Sequence, residues 1–133
     1  MELRVFVCED AEGIRFFLGD LFESIGGLQS VGAASTEAAA KSWLAINAAD
    51  WDVVVVDLVL DEGSGLHVIT AARQTHPQGR VVVFSAFATP AVRRHCLALG
   101  ADAVFSKGEA TNFAAWLAAQ AAPRAAGGPG PRK

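Results

Sequence analysis

Asp57 closes a run of four valines, Val53–Val56, and so places a carboxylate where a buried strand gives way to solvent. Three further apolar runs end the same way. The acidic pair Glu9-Asp10 follows residues 3–8, Ser85 follows residues 81–84, and Ser106-Lys107 follows residues 101–105. In an open α/β sheet, ligands bind outside the carboxyl ends of the strands, so these residues would share one rim. Three carboxylates crowded together repel one another and hold protons unless a cation neutralises them, which implies a divalent metal. An all-oxygen donor set suits Mg²⁺, which keeps several waters and commonly binds a phosphate at the same time. A carboxylate attacking phosphorus needs charge neutralisation and in-line positioning more than it needs a base. His67, His76 and His95 are scattered over predicted helices and loops and do not form a soft-metal site.

The elements that must position these residues are legible from the apolar pattern. Leu3, Val5 and Val7 alternate in a first strand over residues 3–8. Ile14, Phe17, Leu18, Leu21, Phe22 and Ile25 recur at helical spacing on one face, and Gly26-Gly27 ends that helix. A weaker strand over residues 28–34 precedes Ser35-Thr36, a cap for an alanine-rich helix that carries Trp43, Leu44 and Ile46 toward Asn47. The continuously apolar runs 53–56 and 81–84 have the character of central strands buried on both faces, as parallel sheets require. Between them lie a loop over residues 58–65 and a helix over residues 66–75 that stops before Pro77. Thr89 caps a further helix with Pro90 in its first turn, which ends near Gly100. Residues 101–105 form the last strand, and Phe113, Trp116 and Leu117 mark a final helix. Strand and helix alternate five times, predicting one doubly wound α/β domain over residues 1–122. Residues 123–133, rich in Gly, Pro and Ala, read as a disordered tail.

Bulk properties narrow the function. The 133 residues fit one domain, and 52% hydrophobic with 19% charged residues and a net charge of −3 excludes the basic face of a nucleic-acid binder. Cys8 and Cys96 fall in a predicted strand and a predicted helix, with no CxxC pair or disulfide framework, so both read as reduced, buried thiols. No apolar run is long enough to span a membrane, and the first residues do not spell a secretion signal, which points to the cytoplasm. Asp61 and Glu62 read as solvated loop acids, and Trp43, Trp51 and Trp116 as core or rim aromatics.

The order of the acidic pair Glu9-Asp10, Asp57 in VVVVDLVL, Gly65 eight positions later, Ser85-Ala86 in VVVFSA and Lys107 in VFSKG resembles the receiver domain of two-component response regulators. The resemblance covers the chain to about Ala122. It implies a flavodoxin-like, five-stranded parallel sheet in the order 2-1-3-4-5 flanked by five helices. It also implies that Asp57 accepts a phosphoryl group from a histidine kinase or phosphotransfer protein. Asp10, Glu9, Asp57 and the backbone carbonyl of Val59 would hold Mg²⁺, while Lys107 and Ser85 would bind phosphoryl oxygens. A downstream protein would dock on the face of the fourth helix, fifth strand and fifth helix, drawn from Arg93, Arg94, His95, Phe113 or Trp116, and a homodimer is compatible with that surface.

Some positions depart from the family's pattern. Val104 stands where members usually carry an aromatic residue, with Phe105 pointed to the opposite face by strand alternation. Gly108 stands where a proline usually follows the lysine, and Asp61 replaces the proline common four residues after the phosphorylated aspartate. Val59 and Phe87 are apolar where other members often guide the attacking water, which predicts a long-lived phosphoaspartate. Two alternatives stand beside the switch: a phosphorylation-independent interaction module, disfavoured by the intact acids and lysine but kept open by Val104, and a phosphatase with Asp57 as nucleophile. The second is disfavoured by Val59, where a second acid would be needed, and by the third-strand location. A flavodoxin-like cofactor binder would need a phosphate loop where Glu9, Asp10 and Glu12 would repel one.

Overall fold

The valine-rich runs pair side by side into a single parallel sheet. A computed structural model describes residues 2–122, and the tail expected over residues 123–133 lies outside them. Eleven elements follow one another: β1 (Leu3–Cys8), α1 (Glu12–Ile25), β2 (Leu28–Ala34), α2 (Glu37–Asn47), β3 (Val53–Val56), α3 (Gly65–Thr75), β4 (Arg80–Ser85), α4 (Pro90–Leu99), β5 (Ala103–Ser106), a 3₁₀ turn η1 (Lys107–Glu109) and α5 (Ala110–Ala121). The strand order is β2-β1-β3-β4-β5, all parallel, as the resemblance implies.

Alternation along the strands splits the core into two layers. Phe6, Cys8, Val54, Val56, Val81, Val83 and Val104 face α2, α3 and α4, where they meet Leu44, Val68, Ile69 and Cys96. Val5, Val7, Val53, Val55, Val82 and Phe84 face α1 and α5 and meet Leu18, Phe22, Phe113 and Leu117. Phe84 stacks on Phe113 at 4.2 Å between ring centres, and Phe105 meets the same ring edge-on, on the opposite face from Val104 as alternation predicts. Phe6 stacks on Trp43 at 4.0 Å, and a side chain at Gly32 would strike that indole.

The caps follow sequence chemistry. Thr36 accepts a hydrogen bond from Ala39 N, Ser64 from Leu66 N and Thr89 from Val92 N, so three helices begin on an oxygen that satisfies an otherwise orphaned amide. Gly100 closes α4 at φ 117°, in the left-handed region that glycine tolerates best.

Exposure departs from the apolar pattern at two positions and from the docking-face expectation at a third. Phe17 is 40% exposed because it lies at the edge of the α1 stripe, beside the buried Leu18 and Phe22. Ile46 is 78% exposed, since α2 buries Ala40 and Leu44 and turns the next positions outward. Phe113 is wholly buried under β4 and β5, which removes it from any docking surface. Both cysteines are free and buried, and burial together with the nearby acids pushes the Cys8 thiol up to about 12, leaving it inert.

Candidate functional site

β1 and β3 are neighbours in the sheet, and this pairing brings the first acids to Asp57. Cys8 is in register with Val56, and the amide of Asp57 donates to Cys8 O at 2.9 Å, so the two strands end level. Glu9 N donates to Ala34 O at 2.9 Å, which continues the β1–β2 ladder one residue further and leaves the Glu9 carboxylate beside Asp57. Carboxylate oxygens of Glu9, Asp10 and Asp57 lie within 4.8 Å of one another. Glu9 and Asp57 are buried and Asp10 is half-buried.

Gly65 fixes the other side of Asp57. A Cβ there would lie 2.0 Å from Asp57 O and 2.9 Å from the Leu58 backbone, so only a residue without a side chain lets α3 start this close to the acid. Gly65 N donates to Leu58 O, and Val59 N approaches Asp57 Oδ1 at 3.5 Å. Glu37 clasps the same loop from α2, accepting from Ser64 N at 2.9 Å and pairing with His67 Nδ1 at 2.9 Å. The Ser64 amide, then His67, draws the Glu37 carboxyl down to about 2. Asp61 and Glu62 are exposed, as expected of loop acids.

β5 ends beside β4, with Ser106 in register with Ser85, and Lys107 follows in η1. Its ammonium reaches both buried acids, 3.0 Å from Glu9 Oε1 and 3.0 Å from Asp57 Oδ2. Burial works against the charged lysine, but hydrogen bonds to Glu9 and Asp57 outweigh it and raise the amine above its ordinary value. For Glu9 the balance is reversed. Burial pushes its carboxyl up to about 7 in spite of hydrogen bonds from the Ala11 amide and Lys107. One ammonium therefore pairs with two acids while Asp10 crowds the same cluster without a cation of its own among the described residues. Ser85 is fully buried at the end of β4, where its hydroxyl oxygen accepts from Phe87 N at 3.2 Å.

The residues that sequence reasoning joined, Glu9, Asp10, Asp57 and Lys107, are thus together. Ser85 is one strand away, and Val59 and Phe87 are exposed on the two loops that flank the acids. Sequence reasoning missed Glu37 and Glu109. Glu109 accepts from Ser106 N at 2.8 Å, and the S-x-x-E spacing of Ser106 and Glu109 could have announced it. A shallow groove lined by Leu3, Asp52, Gln78 and Arg80 lies at the opposite edge of the sheet, away from all of these residues.

A five-stranded parallel sheet in this order, carrying an acidic cluster and a lysine at its carboxyl edge, defines a flavodoxin-like α/β domain. The family comparison then makes the assignment specific: residues 5–113 match the response regulator receiver domain, and the chain belongs to that family. Solved structures agree on the fold. The response regulator domain of Thermotoga maritima CheB superposes with a TM-score of 0.78 at 20% identity, over 91% of this chain and 94% of that one. The signal receiver domain of the Mycobacterium tuberculosis response regulator NarL gives 0.76 at 25% identity, covering 90% and 96%. Salmonella enterica RcsB, solved bound to a promoter with a phosphomimetic beryllium fluoride, gives 0.74 at 22% identity, with 89% of this chain and 67% of that one covered. No curated protein sequence gives a significant match.

Proposed function

We propose that this receiver domain is a phosphoacceptor switch in which Asp57 takes a phosphoryl group from a phosphohistidine on a histidine kinase or phosphotransfer protein. The observation that carries the reading is the shared ammonium: Lys107 lies 3.0 Å from both Glu9 and Asp57 while a third acid crowds the same point. Structural ion pairs are balanced, whereas this one leaves an anionic excess that a proton or an added cation relieves. The oxygen-only donor set fits Mg²⁺ held by Asp10, Glu9, Asp57 and the carbonyl of Val59. When bound, that ion would neutralise the acids and the charge of the incoming phosphoryl group.

The chain's own residues supply the rest. An Asp57 carboxylate oxygen forms the new O–P bond as the donor's P–N bond breaks, and the leaving imidazole takes up a proton from solvent. Lys107 transfers its hydrogen bond from Asp57 to a phosphoryl oxygen, a role suited to a flexible point charge. Ser85 donates its hydroxyl proton to a second oxygen. Phosphorylation adds about 1.5 to 2 negative charges at one point of the rim. The outcome is a changed affinity for a downstream protein on the α4–β5–α5 face, where Arg94 and His95 are exposed and Trp116 is half-buried. This describes a cytoplasmic signalling switch that catalyses its own phosphorylation and dephosphorylation.

Incubation with Mg²⁺ and acetyl phosphate tests the reading. The expected result is a mass increase of one phosphoryl group that disappears in Asp57→Asn and when the metal is chelated. Labelling that survives Asp57→Asn would refute it.

A further inference from the structure

The turn that presents Lys107 contains Gly108, and a Cβ there would meet only Ser106 Oγ at 3.6 Å, so no close contact demands a glycine. Its effect is backbone freedom, placed next to the one lysine whose position matters most. Something else must hold the turn. Arg93, in the first turn of α4, reaches across from the β4–α4 loop with all three guanidinium nitrogens. Nε donates to Ala88 O at 3.1 Å, Nη1 to Val104 O at 2.8 Å and Nη2 to the Glu109 carboxylate. Glu109 uses the same oxygen to accept from Ser106 N, the residue that precedes Lys107. Three segments, the loop after Ser85, strand β5 and the lysine turn, are thereby joined through one side chain. An arginine fork suits this task because its donors are rigidly spaced and its charge is permanent.

Resting on the phosphoacceptor reading, we propose that Arg93 and Glu109 are positioning residues for phosphotransfer, clamping the Ser85 loop to the turn that holds Lys107 over Asp57. Neither touches the phosphoryl group. They act by fixing the separation between the two groups that do, and a small misplacement of such groups is felt in rate more than in binding. The metal-binding acids lie just beyond β1 and β3, outside the clamp's own contacts, and meet it only through Lys107, whose release removes a competitor for their oxygens and should not weaken the metal.

The test compares Arg93→Ala, Arg93→Lys, Glu109→Ala, Glu109→Gln and the double Arg93→Ala/Glu109→Ala with the unaltered domain. The readouts are the initial rate of phosphorylation by acetyl phosphate, Mg²⁺ affinity by calorimetry, and melting temperature. Each alanine variant should lower the phosphorylation rate about tenfold, with no loss of Mg²⁺ affinity. The double variant should be no slower than either single one, because both remove the same clamp. Glu109→Gln keeps an acceptor for Ser106 N and should lie between, while Arg93→Lys keeps the charge but not the fork and should stay slow. Normal rates in the folded single variants, additive losses in the double, or a parallel fall in Mg²⁺ affinity would each overturn the proposal. Should an alanine variant fail to fold, Arg93→Lys and Glu109→Gln decide by the same criteria. Failure of the unaltered domain to take any phosphoryl group is a separate result, which removes the phosphoacceptor reading itself.

Discussion

The two edges of the sheet carry the same kinds of residue and use them in opposite ways. At the amino-terminal edge Asp52 and Asp102 each have a cation and an amide besides. Asp52 accepts from Arg4 N at 2.7 Å and from Arg4 Nε at 3.1 Å, and Asp102 accepts from Val81 N at 2.8 Å and from Arg73 Nη2 at 2.9 Å. Burial opposes the charge on Asp52, yet the Arg4 hydrogen bonds hold its carboxyl below the usual range. Arg73 also donates to Gly79 O and Gly100 O, so its guanidinium ties together the chain segments entering β4 and β5. These charges close on themselves. At the carboxyl-terminal edge two buried acids share one lysine, and a third acid crowds them without a cation partner among the described residues. An imbalance of charge at a buried position is unfavourable for folding, and a fold keeps it only where it serves another end. The count of partners per acid, more than the presence of acids, separates structure from function here.

Substitutions can break that contrast. The largest effect is expected at Lys107: Lys107→Ala should slow phosphorylation by acetyl phosphate on the order of a hundredfold, as for loss of a preorganised cation that stabilises a transition state. Quenched-flow or intact-mass time courses would measure it, and a rate near that of the unaltered protein would mean the lysine is only structural. Next comes Asp102→Ala. It strips a partner from the Val81 amide and from Arg73, and should destabilise the fold by about 2 kcal/mol in urea titration without altering the phosphorylation rate of the folded fraction. A change in rate would show that the edges are not independent.

Asp10→Asn should move stability the other way. Without metal it relieves repulsion among three acids and loses no hydrogen bond made by that carboxylate among the described residues, so a gain of about 1 kcal/mol is expected, together with weaker Mg²⁺ binding. Destabilisation by both Asp10→Asn and Asp102→Ala would erase the contrast drawn between the edges. The smallest effect is pH dependence from Glu9. Its carboxyl is raised from 4.5 to about 7 in the folded protein, so the protonated form favours folding. That contribution is complete below about pH 4.5 and is lost as the pH rises through 7. Thermal melting of the metal-free protein should therefore show a declining contribution over this window that Glu9→Gln removes, and Mg²⁺ should raise the melting temperature more at pH 8 than at pH 6. Equal stabilisation by Mg²⁺ at both pH values would count against Glu9 as a ligand.

Residues whose meaning is local were legible in the sequence. The valine runs announce strands buried on both faces because no polar position interrupts them, and the acids that follow mark the rim. The order of five strands placed Glu9, Asp10, Asp57 and Lys107 on the same edge once a parallel sheet was assumed. The relation between Arg93 and Glu109 was not legible, because sixteen residues and a strand separate them and either would pass for a solvated charge. Arg93 was read as a surface residue of the docking face, whereas the fold draws it inward to a strand carbonyl. Helical periodicity misplaced Phe17 for a simpler reason. A helix buries a stripe whose width depends on its neighbours, and residues at the margin of the stripe carry the same spacing as those at its centre.

Trp51 stands just before β3, and Asp57 just after it, so the strand holds an indole and a buried carboxylate about 20 Å apart at opposite ends. That indole is wholly shielded from water, has no partner for its N–H among the described residues, and lies edge-on to His76 at 4.9 Å. Its emission is therefore insensitive to solvent and deaf to any ligand that merely arrives at the far rim. Light emitted by this side chain would report movement of β3 against the turn that carries His76 and Gly79, which makes it an optical strain gauge for the sheet.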